Sequence, residues 1–105
     1  MASLAQTSLP IPADVLSFAS QKGVTAHLPA VLEMTQQVFP NSMVSALVEG
    51  DPEIPGDFHI VIEVKAADVQ PADASKGRSR WHHDLFNSCP ATLACVFRLG
   101  LEISR

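Results

Sequence analysis

The chain is short of charge, of cysteine and of long apolar runs, and each shortage removes a class of protein. Only 17% of its residues are Asp, Glu, Lys or Arg, against 47% hydrophobic. A chain this apolar buries enough surface to offset its conformational entropy, so disorder is disfavoured. With few charges to coat the outside, some apolar surface is expected to stay exposed as a face for association. Seven basic residues against eleven acidic give a net charge of −4, which argues against a nucleic-acid binder of the ordinary basic kind. Two cysteines, Cys89 and Cys95, do not make a disulfide framework. No window approaches the roughly 18 apolar residues that a membrane helix needs. Met1 to Pro12 lacks the basic start and apolar stretch of a secretory leader. The expectation is a cytoplasmic globular domain, and 105 residues are enough for one core.

Chemical signatures are missing as well. There is no Cys-x2-Cys, His-x3-His or His-Glu-x-x-His spacing. His82 and Cys89 share a helical face, but seven residues of helix set them roughly 10 Å apart, too far for one zinc ion. His82 and His83 diverge by about 100° around a helix and cannot chelate together. Cys89 falls at the negative end of a helix dipole, which disfavours its thiolate. Cys95 reads as an inward residue of a strand. Both are expected to be small buried hydrophobes. The acidic stretch Glu49, Asp51, Glu53 and Asp57 lacks the alternating ligands of a calcium loop and is stiffened by two prolines. No catalytic residue, metal ligand or cofactor is nominated. Lys76, Arg78 and Arg80 form one basic cluster, too short and wrongly placed for a phosphate loop. It stands as a candidate anion contact beside the plainer reading of a solvated helix face.

What is present is periodicity. Residues 1–11 carry none and are expected to form a flexible arm before a single domain over 12–105. Pro12, Asp14, Lys22 and Gly23 mark the start and stop of a first helix, with Val15, Phe18 and Ala19 as its buried stripe. A second helix is expected from about Ala26 to Phe39 on the spacing of Leu28, Leu32, Thr35 and Phe39. Met43 to Glu49 reads as a strand that is apolar on both sides. Gly50 to Asp57 is a turn segment, and Phe58 to Lys65 alternates cleanly with Phe58, Ile60, Ile62 and Val64 inward. A third helix spans about Pro71 to Ser88, starting as late as Arg78 if its poor helix formers fail. Trp81, Leu85, Phe86 and Cys89 form its core face. Ala94 to Ile103 alternates again, with Cys95, Phe97, Leu99, Leu101 and Ile103 inward.

The fold class is therefore α+β in two layers, helices on one face of a three-stranded, mainly antiparallel sheet, in the order α-α-β-β-α-β. A doubly apolar first strand suits the middle, giving sheet order 2-1-3; order 1-2-3 with one parallel pair is the alternative. The sheet's other face is left open. By alternation it carries Val61, Val96, Leu47, Met43 and Ala94, bordered by His59, Glu63, Lys65, Arg98 and Glu102. An apolar patch with a charged border fits a homodimer or a protein partner, and the edge of strand 58–65 offers backbone pairing as a second route. The function expected is a non-enzymatic interaction or assembly module. The alternative is a small-molecule or phosphate-binding protein, possibly enzymatic, using Arg98, His59 and Glu63 or the basic start of the third helix.

Overall fold

Helix α1 (Ala13–Lys22) begins where the Pro12 carbonyl accepts the backbone N–H groups of Val15 and Leu16, both at 3.1 Å. It ends at Gly23, whose φ of 72° lets the Val24 N–H turn back to the Ala19 carbonyl at 2.9 Å and buries the Val24 side chain. The computed structural model describes residues 11–67 and 69–104, so nearly all of the arm expected over 1–11 lies outside the described residues. Helix α2 (Leu28–Val38) starts two residues later than its apolar spacing suggests, because residues 25–27 form a turn that Pro29 closes into the helix. Helix α3 (Pro71–Ser88) takes its full length. Pro71 and Asp73 suit its first turn. Gly77, weak as a helix former, meets the ring of Phe39: a Cβ there would lie 2.6 Å from Phe39 Cε1.

Strands β1 (Ser42–Gly50) and β2 (Phe58–Ala67) pair antiparallel, from Ser42 opposite Ala66 to Gly50 opposite Phe58. The last segment departs from its alternation. Pro90 opens a one-turn helix, α4 (Ala91–Ala94), and β3 runs only from Phe97 to Ser104. Ala94 is consequently buried in that helix, Cys95 is exposed, and Val96 lies in the turn before β3, packed against the core. None of the three stands where a strand from Ala94 would place it.

The sheet order is β1-β2-β3, with β3 parallel to β2 in a register running from Ile60 opposite Phe97 to Ala67 opposite Ser104. The expected order 2-1-3, wholly antiparallel, is thus overturned. Polar outward residues on β2 reflect its open face and say nothing of an edge: its inward Ile60, Ile62 and Val64 have no solvent exposure at all, as suits the middle strand. On the second apolar side of β1 Met43 is 76% exposed and Leu47 only half-buried. Helix α1 lies over β1 and β2, α2 over β1, and α3 against α2. Two aromatics expected inside are out: Phe58, 50% exposed, covers Gly50 at the sheet's end, and Phe86 is 58% exposed.

One buried polar chain ties the helices together. Trp81 Nε1 donates to Thr35 Oγ1 at 2.8 Å, and that hydroxyl donates to the Val31 carbonyl at 2.7 Å. Both side chains are fully enclosed, so every group in the chain must find its partner internally. Thr35→Val keeps the shape but strands the indole N–H. Urea unfolding should show a loss of about 1–3 kcal/mol. Gly77→Ala should also lower the melting temperature, although alanine is the better helix former by about 1 kcal/mol, and shortening the facing ring with Phe39→Leu should recover part of the loss.

Candidate functional site

The ladders place the outward side chains in rows. Leu47, Val61 and Arg98 share one row, Ser45, Glu63 and Gly100 the next, and Met43, Lys65 and Glu102 the third, while Glu49 stands opposite His59. Five of the six sequence-nominated residues, His59, Val61, Glu63, Arg98 and Glu102, thus share the open face; Val96 does not join them. The apolar part is smaller than expected without Val96 and Ala94, and a half-buried Glu63 stands in the middle strand between Ser45 and Gly100. Gly100 itself is hemmed by its neighbour, since a Cβ there would lie 3.1 Å from Val61 Cγ1.

At one end of this face Arg98 Nη2 donates to His59 Nε2 at 2.9 Å. A guanidinium only donates, so Nε2 is the accepting nitrogen and the ring proton sits on Nδ1. Asp57 Oδ1 stands 3.5 Å from the same nitrogen. The arrangement holds the Arg98 side chain across two parallel strands, its guanidinium drawn from the sheet's outer edge toward the middle strand.

That edge belongs to β3. Strand 58–65, nominated as the pairing edge, is flanked on both sides, so backbone pairing there is ruled out. The open edges are those of β1 and β3 among the described residues. On β3 the side chains of Leu99, Leu101 and Ile103 face the helix layer yet remain half-exposed. Their alternation is legible in the sequence, but their exposure depends on where α1 and α2 lie.

Lys76, Arg78 and Arg80 are all exposed on α3. Residues two apart on a helix diverge by about 200°, so Arg78 points away from the other two and no common anion site forms. Arg80 Nε instead meets Asp84 Oδ2 at 3.3 Å, and His82 Nδ1 donates to the Arg78 carbonyl at 2.8 Å. No group of three or more His, Cys, Asp or Glu that could hold a metal occurs among the described residues. A cleft of about 440 Å³ lies where β2 leads into α3, lined among others by Phe39, Ser42, Ala66, Val69 and Asp73. Its walls come from separate segments, which is why no local motif announced it.

Both cysteines are free. Burial, and then the neighbouring Cys95, push the Cys89 thiol above its ordinary value. Its contribution to stability is full below the ordinary thiol range and is lost as pH climbs through the raised value, because the unfolded chain releases the proton first. A thiol reagent at neutral pH should therefore modify one equivalent, Cys95, at once and the second only on unfolding. No protein-family model, curated protein or solved structure matches the chain.

Proposed function

We propose that the protein is a non-enzymatic interaction module of the cytoplasm that self-associates through the uncovered part of its sheet. One observation carries this reading. At β3 the open sheet face, a backbone edge unpaired among the described residues and the half-covered side chains of Leu99, Leu101 and Ile103 come together on a single strand. Unpaired edges with apolar side chains recruit another strand unless something blocks them. The two free cysteines agree with a reducing compartment, and no helix among the described residues is long and apolar enough to cross a membrane. Sedimentation equilibrium at micromolar concentrations should return twice the monomer mass of 11.3 kDa, dissociating on dilution. A constant monomer mass would remove the reading.

The cleft beside α3 favours a second reading, that of a small-molecule binder, since ligand sites occupy about 300–1,000 Å³. A thermal-shift screen separates the two: a ligand at 100 times its dissociation constant adds about 2.7 kcal/mol to stability, whereas the assembly reading expects stabilisation with protein concentration alone.

A further inference from the structure

The residue order of β3 determines how a second copy would fit. Ile60 and Phe97 stand opposite each other in the parallel ladder, and the Ile60 N–H donates to the Val96 carbonyl at 2.8 Å. In such a ladder the backbone groups of alternate residues face the same neighbour. Those of Arg98, Gly100 and Glu102 therefore turn toward β2, and those of Leu99 and Leu101 turn outward to the free edge.

Resting on the assembly reading, we infer that two copies join β3 to β3 in antiparallel register about Gly100, forming one continuous six-stranded sheet. The sequence Phe97-Arg98-Leu99-Gly100-Leu101-Glu102-Ile103 is complementary to itself around its central glycine. In this register Leu99 meets the partner's Leu101, and their outward backbone groups make the hydrogen-bonded pairs that antiparallel strands require. On the helix side their half-exposed side chains cover one another. On the open face Arg98, its guanidinium turning from His59 on β2, meets the partner's Glu102, twice by symmetry, as closely spaced cross-strand pairs of opposite charge. Within its own copy Glu102 already stands opposite Lys65, so its carboxylate comes to lie between two cations. The two Gly100 residues meet on the symmetry axis, where side chains would crowd.

Other registers lose these features. A one-residue slip sets inward positions against outward ones. Centring the pairing on Leu99 or Leu101 instead leaves both Arg98 and Glu102 without a counter-charge. Strand β1 is not an equivalent partner, because its single charged residue is Glu49 and it carries no cation.

Charge reversal tests the register. Arg98→Glu and Glu102→Arg should each weaken self-association by roughly tenfold or more, since each sets like charges opposite one another twice. Mixed one to one, the two variants should form a heterodimer near wild-type affinity, because every Glu at 98 then meets an Arg at 102 and the reverse. The Arg98→Glu/Glu102→Arg double variant should dimerise alone. Far-ultraviolet circular dichroism of each variant checks the fold, and recovery on mixing is itself proof that both singles are folded. A wild-type dimer that neither single variant weakens, or that mixing fails to restore, overturns the register and leaves assembly standing. A wild type that stays monomeric overturns both.

Discussion

Ile60, Ile62 and Val64 have no contact with water, and most of the architecture follows from enclosing them. A strand so covered needs a neighbour on each edge and a helix layer above. The antiparallel neighbour comes cheaply through the turn over residues 51–57. The other neighbour runs parallel to β2, and a parallel connection must cross the sheet's full length, which is the role of α3. Helix α3 in turn holds its place through Trp81, whose indole reaches Thr35 on α2. The buried strand, the crossover and the polar chain between helices are one linked solution.

The same geometry explains what is left uncovered. Two helices, α1 and α2, lie over β1 and β2, while the crossover helix packs on α2. Strand β3 receives less cover on its helix side and, among the described residues, has no neighbour outside. At that border half-covered apolar side chains and an open backbone edge lie on the same strand.

Much of the fold was legible in the sequence. The helix ends at Gly23 and Ser88 and the inward series of β2 follow from local rules of capping and alternation. The strand order was not legible, because outward polar residues at His59, Glu63 and Lys65 report which face is wet, not which edge is free. The start of β3 was missed for a related reason: Ala94, Cys95 and Val96 keep the two-residue rhythm by composition, yet Pro90 makes a helical turn the better local solution. Of the candidate surface, alternation placed five residues together. The free edge at β3 and the cleft beside α3 depend on long-range packing and carry no local mark.

Strand β1 has a consequence for growth. In an assembly joined through β3, both copies present β1 at the outside, and an edge with one acid and no base offers an identical edge no electrostatic match. The proposed β3 pairing has closed two-fold symmetry, and lengthening the sheet beyond a pair would require β1 edges to meet with no charge pairing to set their register.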